Sequence, residues 1–391
     1  MAPPDYARRL AETRALLREH ELDALLAASE HNRRYLTGFT PTDGDITESS
    51  GDALVTPDKH FLITATFFIQ GLEHEVEPSG ASVILADKTT PAALVGALIR
   101  GNGIRRLGFE KEWMSYARYQ GLREALDATE GDPVELVPVS DLVMSVRQRK
   151  DDAEIAAIRR AAAIADQAFA QLVGEIRAGM TERQIALRLD VLMRAHGADG
   201  SSFPTIVACG PSSALPHAVP TEREIQPGEP LLIDFGCRVD GYCSDLTRTI
   251  CLGEPSPRLI EIYRVVRAAQ DAAEDALRRG ARRGRDVDGA ARKVIADAGH
   301  GEAFFHALGH GVGLAVHELP ILASPRGDDP QREAELAKIE GIAAGSVVTV
   351  EPGIYLAGWG GVRLEDMALV REDGVELLAS RNPPDILRVG V

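Results

Sequence analysis

The sequence predicts two domains, an α/β domain over residues 1–145 and an α+β domain over residues 146–391. A length of 391 residues is typical of two domains. In the first part, short apolar runs alternate with helical patterns, as strands and helices do in an α/β domain. In the second part, long helical patterns stand apart from β-hairpin patterns, which favours an α+β class.

The predicted elements of the first domain follow from the period of its apolar residues. Residues 5–20 form an amphipathic helical pattern, with Leu10, Leu16 and Leu17 on one face. Short apolar runs predict strands at Ala24–Ala28, Ala53–Val55, Phe61–Thr64, Ser82–Leu85 and Leu107–Phe109. Helical patterns between these runs predict helices at Pro91–Arg100 and Tyr116–Asp127.

The second domain opens with a long helical pattern over residues 147–173, which is rich in Ala, Glu, Arg and Ile. Further helices are predicted at 181–196, 257–279 and 286–298. Strands are predicted at 204–208, 230–238, 242–251, 346–355 and 362–371. The charged stretch 325–340 is predicted to be a surface insertion.

Composition and charge exclude several classes of function. The net charge of −16 argues against a nucleic-acid-binding protein and against binding to an anionic membrane surface. No apolar run approaches the roughly 18 residues of a membrane span, and the N-terminus lacks the apolar segment of a secretory signal. The four cysteines form no C-x-x-C pair. We therefore expect a reduced, cytoplasmic protein whose cysteines fill apolar space.

A first β-hairpin, within residues 231–251, carries two carboxylates. Asp240-Gly241 is a strong signal for a two-residue turn. That turn places Asp234 opposite Thr247, with Asp245 diagonally across on the same face. Two inward-pointing carboxylates repel each other unless a cation lies between them, which suggests a metal site. The alternative is two solvated aspartates on an exposed face, but the apolar flanking residues favour a buried sheet.

A second hairpin, within residues 347–370, carries two more carboxylates. A loop centred on Gly358 would place Glu351 opposite Glu365. Arg363 lies two residues before Glu365, on the same face, where its guanidinium could bind a ligand carboxylate and orient it. The alternative for Arg363 is an exposed arginine on a strand.

Candidate histidines lie before the first hairpin and between the two hairpins. The string HALGHGVGLAVHELP contains His306, His310 and His317. Its glycines argue against a helix, and HExxH is absent, so at most one of His306 and His310 is predicted to bind metal. His217 lies in a loop rich in Gly, Pro and Ser, where a histidine is commonly only solvated. The sequence contains neither the phosphate-loop pattern nor G-x-S-x-G, so neither class of enzyme has support.

Taken together, these strings resemble the pita-bread metallopeptidases, in particular the prolidase and aminopeptidase P branch. The matching strings, in family order, are PHA (216–218), IDFGCRVDGYCSDLTRT (233–249), HALGHGVGLAVHELP (306–320), EPGIY (351–355) and GGVRLED (360–366). The weaker string RQRKDDAEIAAIRRA (147–161) is similar to the helix that opens this catalytic domain. Residues 1–145, with NRRYLTGF at 32–39, look like the creatinase-type N-terminal domain. The resemblance thus implies a pita-bread catalytic domain over residues 146–391.

The resemblance also implies a site and a reaction. The implied metal ligands are Asp234, Asp245, His310, Glu351 and Glu365. Two divalent ions, Mn²⁺, Co²⁺ or Zn²⁺, would bind there and activate water for hydrolysis of Xaa-Pro peptide bonds. Glu351 would transfer the proton, His317 would stabilise the oxyanion, and His217 would position the substrate carbonyl. A homodimer is the family expectation.

Several alternatives stay open within this resemblance. A prolidase, which cleaves Xaa-Pro dipeptides, is preferred over an aminopeptidase P, which acts on longer peptides. A metal-free creatinase-like hydrolase and a non-enzymatic peptide-binding module are the remote alternatives, and the complete ligand set argues against both. Two departures from the family concern the substrate. The stretch 326–338 lengthens the segment before Glu351, and Ile321 stands where some relatives carry a polar or basic residue; Arg326 is a possible substitute for it.

Overall fold

The structure of the protein is a computed structural model that describes residues 3–128, 130–325 and 330–390. Two compact units divide the chain, Pro3–Arg147 and residues 148–390, close to the boundary expected at residue 145. Each unit has its own sheets and its own apolar core. Among the described residues, no helix combines the length and the apolar character needed to cross a membrane.

The N-terminal unit is an α/β structure with one mixed sheet. Its elements are α1 (Tyr6–Glu19), β1 (Ala24–Ala27), α2 (Glu30–Thr37), β2 (Gly51–Val55), β3 (His60–Ala65), α3 (Ile69–Val76), β4 (Ser82–Ala86), α4 (Pro91–Gly101), β5 (Arg106–Glu110), α5 (Tyr116–Asp127), β6 (Glu135–Val139) and α6 (Leu142–Arg147). The sheet order is β4-β3-β2-β1-β5-β6, and β2 runs antiparallel to both of its neighbours. The helices and strands expected from the apolar pattern are all present, whereas α2, α3, β6 and α6 were not predicted.

Helix α2 escaped prediction because its sequence, EHNRRYLT, has few apolar residues, and its start depends on a distant side chain. Glu110, at the end of β5, accepts hydrogen bonds from the backbone N–H groups of Ala28 and Ser29, both at 2.8 Å. It also accepts one from the amide of Asn32. Burial nevertheless raises the pKa of Glu110 to about 7.

The raised pKa of Glu110 predicts a pH-dependent stability of this unit. Because the folded state holds the proton more tightly than the unfolded chain, the free energy of unfolding is expected to fall as pH rises from about 4.5 to about 7. The loss is at most about 3 to 4 kcal/mol, at about 1.4 kcal/mol per pKa unit. Denaturation followed by Trp113 fluorescence in a Trp359→Phe background would measure it. Glu110→Gln should remove this part of the slope, and an unchanged slope would contradict the assignment.

The C-terminal unit contains the predicted hairpins. Its elements are α7 (Asp152–Val173), α8 (Glu182–Ala195), β7 (Gly200–Ser201), β8 (Ile206–Cys209), β9 (Pro230–Phe235), β10 (Cys237–Val239), β11 (Tyr242–Cys243), β12 (Leu246–Leu252), α9 (Pro257–Arg278), α10 (Gly284–Asp297), β13 (Gly309–Gly311), β14 (Glu318–Leu322), α11 (Pro330–Ile339), β15 (Val347–Val350), β16 (Gly353–Leu356), β17 (Gly360–Arg363), β18 (Asp366–Val370), β19 (Val375–Leu377) and β20 (Leu387–Val389). The two larger sheets have the orders β20-β12-β9-β8 and β14-β13-β15-β18-β19. Helices α9 and α10 contribute the apolar face that packs on the second of these sheets.

Helix α7 begins five residues later than the helix predicted from residue 147. Asp151 and Glu154 form a reciprocal capping box, in which each side chain accepts a hydrogen bond from the other residue's backbone N–H. This arrangement satisfies N–H groups that a helix start leaves unpaired, so the helix begins at Asp152. The preceding residues 142–147 belong to the short helix α6 instead.

The expectations for the cysteines and for the charged stretch agree with the structure. All four cysteines are buried and outside disulfides. The charged stretch contains α11, a helix whose described side chains are exposed or half-buried. Residues 326–329, including Arg326, lie outside the described part of the chain.

Candidate metal centre

The first predicted hairpin has the predicted register. Val239 pairs with Tyr242, and Asp234 lies opposite Thr247. The hydrogen-bonded ladder of this hairpin is interrupted at Gly236, which separates the β9–β12 pairing from the β10–β11 pairing. A Cβ at Gly236 would lie 1.9 Å from the carbonyl oxygen of Ser244, so only glycine allows this close approach. The prediction of one continuous strand over 230–238 is therefore wrong, because β9 ends and β10 begins on either side of Gly236. The pairing register is nevertheless the same on both sides.

The second hairpin also has the predicted register. Val350 pairs with Asp366 on one side, and Gly353 pairs with Arg363 on the other. Both ladders are centred on Gly358, so Glu351 and Glu365 lie opposite each other between them.

Five side chains from these hairpins and from β13 line one cavity of about 450 Å³. They are Asp234, Asp245, His310, Glu351 and Glu365, the ligands that the resemblance implies. Donor atoms of Asp245, His310 and Glu365 lie within 4.8 Å of one another. His310 Nε2 also lies 3.3 Å from Glu351 Oε1. The structure thus brings the five predicted residues together at one wall of the cavity.

The orientation of His310 suits a metal ligand. Its Nδ1 lies 3.1 Å from the carbonyl oxygen of Gly311, to which it donates a hydrogen bond. This bond leaves Nε2 directed toward the carboxylates of Asp245 and Glu351, where a bound metal ion would take the place of its proton. His310 lies in β13 between Gly309 and Gly311 and not in a helix, as these glycines predicted. His306 lies outside that strand, so the helical pairing of the two histidines is excluded.

Burial and mutual proximity disfavour the charged forms of two carboxylates of the cavity. Burial raises the pKa of Asp245 well above its usual range, and neighbouring carboxylates raise it further. Burial likewise raises the pKa of Glu365, with Glu351 adding to the effect. For Glu351, burial would raise the pKa, but the hydrogen bond and charge of His310 lower it to about 2.

One buried oxygen also indicates a missing partner. Asp234 Oδ1 is buried and accepts no hydrogen bond from any residue in the described ranges. Four carboxylates and one imidazole form an oxygen-rich donor set that suits Mn²⁺, Co²⁺ or Zn²⁺. The donor set and the unpaired oxygen together fit a divalent metal centre.

Arg363 donates hydrogen bonds at the cavity through all three of its side-chain nitrogens. Its Nη2 lies 2.6 Å from Asp234 Oδ2, as expected for an arginine that holds a ligand carboxylate. Its Nη1 donates to the hydroxyl of Tyr355 at 2.9 Å, and its Nε donates to the hydroxyl of Thr247 at 3.1 Å. Thr247 in turn donates to Glu365 Oε2 at 2.7 Å. One guanidinium therefore connects two candidate ligands, and the alternative of an exposed arginine is wrong.

Three further histidines line the same cavity, His217, His306 and His317. The ring of His317 packs edge-on against that of His310, with centroids 4.4 Å apart. Burial lowers the pKa of His317, and the charge of His310 lowers it further. His217 is exposed on the loop between β8 and β9. Both residues therefore lie where a substrate would contact them.

Sequence reasoning did not single out Tyr355, which contacts two residues of the cavity lining, His306 and Arg363. Tyr355 is buried, and its hydroxyl lies 2.8 Å from His306 Nε2. Since His306 Nδ1 donates to the carbonyl of Ala307, its Nε2 accepts the proton of Tyr355. Tyr355 and Arg363 lie on the same hairpin, so their contact was accessible from the predicted register. His306 comes from a distant segment, and no local pattern indicates its contact with Tyr355.

Ile321, the predicted departure from the family, lies beside a ligand candidate and a second cavity. Ile321 pairs with His310 across strands β13 and β14. It lines a second cavity of about 330 Å³, together with Phe305, His306 and Arg332 of α11. His306 also belongs to the wall of the first cavity, so the two cavities adjoin.

Comparison with known families covers nearly the whole chain. The profile described as metallopeptidase family M24 matches residues 156–372, which is more than half of the chain. The profile described as creatinase/prolidase N-terminal domain matches residues 9–149. These two ranges correspond to the two units of the structure.

Similar proteins of known name point in the same direction. The chain is 34% identical to a Xaa-Pro dipeptidase of Pyrococcus horikoshii, over 92% of this chain and 93% of that one. A Xaa-Pro dipeptidase structure from Bacillus anthracis matches with a TM-score of 0.86 and 35% identity, over 98% of this chain and all of that one. An X-Pro aminopeptidase structure from Thermotoga maritima matches with a TM-score of 0.79 and 32% identity, over 94% and 98%. With its family profile, its relatives and its fold in agreement, the chain is a member of metallopeptidase family M24 with a creatinase/prolidase N-terminal domain.

Proposed function

We propose that this protein is a Xaa-Pro dipeptidase that uses two divalent metal ions. The observation that carries the proposal is the convergence of all five implied ligands on one cavity. Relatives named Xaa-Pro dipeptidase, similar over nearly the full length, support the same substrate class. The complete ligand set argues against the metal-free and non-catalytic alternatives.

Bound metal ions would lower the pKa of a water molecule and polarise the scissile carbonyl. The residues of this chain supply the remaining steps. The carboxylate of Glu351 accepts the proton of the attacking water and delivers it to the proline nitrogen as the C–N bond breaks. Arg363 holds Asp234 in position, through the 2.6 Å contact described above.

Two histidines act on the substrate itself. His317 donates a hydrogen bond to the oxygen of the scissile carbonyl, where negative charge develops. His217 positions the substrate from the opposite loop. Because proline nitrogen has no N–H, a peptidase that depends on that donor would lose a contact, and a dedicated site is chemically reasonable.

Cleavage of the two substrate classes tests the proposal. A dipeptidase should cleave Leu-Pro at least about 100-fold more efficiently than it removes the first residue of Arg-Pro-Pro. The products of one metal-loaded preparation would be identified by mass spectrometry. The reverse preference would favour the aminopeptidase alternative, and cleavage of neither would refute the proposed function.

The second cavity makes an aminopeptidase P the second candidate function. The cavity lined by Ile321 and Arg332 adjoins the metal centre and could hold residues beyond the proline. The similar X-Pro aminopeptidase of Thermotoga maritima fits that alternative. The identity of the metal, the homodimer and the cytoplasmic location stay predictions.

A further inference from the structure

The loop that carries His217 is anchored at both ends by one buried carboxylate. Residues 210–220 connect the end of β8 to Thr221, and residues 216–220 form a continuous part of the cavity wall. Glu182, the first residue of α8, is completely buried. Its carboxylate lies between the two ends of this loop.

Each carboxylate oxygen of Glu182 binds a different end of the loop. Oε1 accepts hydrogen bonds from the backbone N–H of Cys209 at 2.8 Å and from the hydroxyl of Ser212 at 2.5 Å. Oε2 accepts from the backbone N–H of Thr221 at 3.0 Å and from its hydroxyl at 2.6 Å. Cys209 is buried at the near end of the loop, whereas Thr221 is exposed at its far end.

These hydrogen bonds favour the charged form of the Glu182 carboxylate. Burial raises the pKa of Glu182, but the hydrogen bonds, beginning with that of Ser212, outweigh burial and leave the pKa below its ordinary value. The backbone N–H of Glu182 itself donates to the carbonyl of Arg223 at 3.0 Å. Helix α8 thus holds the far end of the loop through both its backbone and its side chain.

The position of His217 depends on these anchors. His217 is exposed and lies between the two anchored ends, and the carbonyl oxygen of its neighbour Pro216 accepts hydrogen bonds of 3.4 Å from Nη1 and Nη2 of Arg363. The loop has further tethers to the second hairpin, through Ser213, whose hydroxyl accepts from the N–H of Gly361 at 2.7 Å. Those tethers hold Ser213 and Pro216 to the second hairpin, whereas Glu182 binds both ends of the loop.

We propose that Glu182 is a positioning residue for substrate binding, which acts by fixing the loop that carries His217. The inference rests on the proposed function, because it assigns His217 to the substrate. Glu182 does not contact the cavity, and it is not among the residues that line it. Its effect on the reaction is therefore expected to pass entirely through the loop.

The substitution Glu182→Gln tests this role with little change in shape. An amide offers one acceptor oxygen and places an NH₂ group against donors, so about two of the four hydrogen bonds cannot form. We expect kcat/KM for Leu-Pro to fall about 10- to 100-fold, the cost of a displacement of about 1 Å in a positioned group. Metal content, measured by mass spectrometry, should stay at the wild-type value.

A double-mutant cycle separates positioning from general destabilisation. In a His217→Ala background, Glu182→Gln should cost less than about twofold, because the residue that it positions is gone. An equal loss in both backgrounds, or a loss of metal, would overturn the proposal. Glu340→Gln is the matched control, since Glu340 is a buried carboxylate bound by Arg283 and Arg285 away from this loop.

Hydrogen exchange of the full-length protein gives a readout that does not need activity. In Glu182→Gln, peptides covering residues 210–220 should exchange faster than in the wild type, and in Glu340→Gln they should not. Unchanged exchange in Glu182→Gln would refute the anchor. If the wild type cleaves no Xaa-Pro substrate, the proposed function fails, while the exchange result still decides whether the loop depends on Glu182.

Discussion

Removal of divalent metal with a chelator is expected to abolish Xaa-Pro cleavage, and added Mn²⁺ is expected to restore it. The loss should be at least about 10³-fold, because metal ions contribute several kcal/mol of transition-state stabilisation. The buried carboxylates explain why the site needs cations. Burial, and then the neighbouring carboxylates, raise the pKa values of Asp245 and Glu365 well above their usual range, so their charged forms are unfavourable there.

The same electrostatics predict that metal binding releases protons. Carboxylates with raised pKa values hold protons in the metal-free protein and must lose them to become ligands. Adding Mn²⁺ to the chelated protein in weak buffer should therefore acidify the solution, as a pH indicator would show. Asp245→Asn should bind fewer ions than the wild type and release fewer protons. Full activity in a preparation that mass spectrometry shows to be metal-free would contradict the dinuclear mechanism.

The register of both hairpins could be predicted because it depends on local turns. Asp240-Gly241 fixes one hairpin, and the loop around Gly358 fixes the other. Once a turn is known, the period of two in a strand determines which side chains share a face. The placement of Asp234 and of the Glu351–Glu365 pair followed from this rule alone.

The contacts that hold the ligands in place could not be predicted in the same way. Tyr355 and Thr247 bind one arginine from separate sheets, and no local pattern links them. The start of α2 depends on Glu110, which is about 80 residues away in the chain. Such partners are determined by tertiary packing, which overrides local propensity.

The interruption at Gly236 shows where a local rule fails for a physical reason. The hairpin pattern predicts an unbroken ladder, yet the close approach of Ser244 separates it into two sheets. The backbone N–H of Asp245 then donates to Met367 Sδ at 3.2 Å and not to a strand partner. This local departure from the ladder occurs at a candidate metal ligand, where binding geometry matters more than regular pairing.

The substitution His317→Ala is expected to lower kcat about 10²- to 10³-fold, the usual cost of losing one oxyanion donor. Burial and the nearby His310 lower the pKa of His317, so at neutral pH the ring is uncharged and still carries one N–H. Its ring centroid lies 4.4 Å from that of His310, so the test must separate a lost oxyanion donor from a lost metal ion.

Metal analysis and a conservative variant separate these two causes. If His317 is the oxyanion donor, His317→Ala should retain the metal content of the wild type, with most of the loss in kcat and little in KM. His317→Asn, which keeps a donor, should recover part of the rate. His20→Ala, at an exposed histidine of the N-terminal unit, is the control for substitution itself. A metal content that falls in step with activity would assign His317 to the support of His310 and not to the substrate.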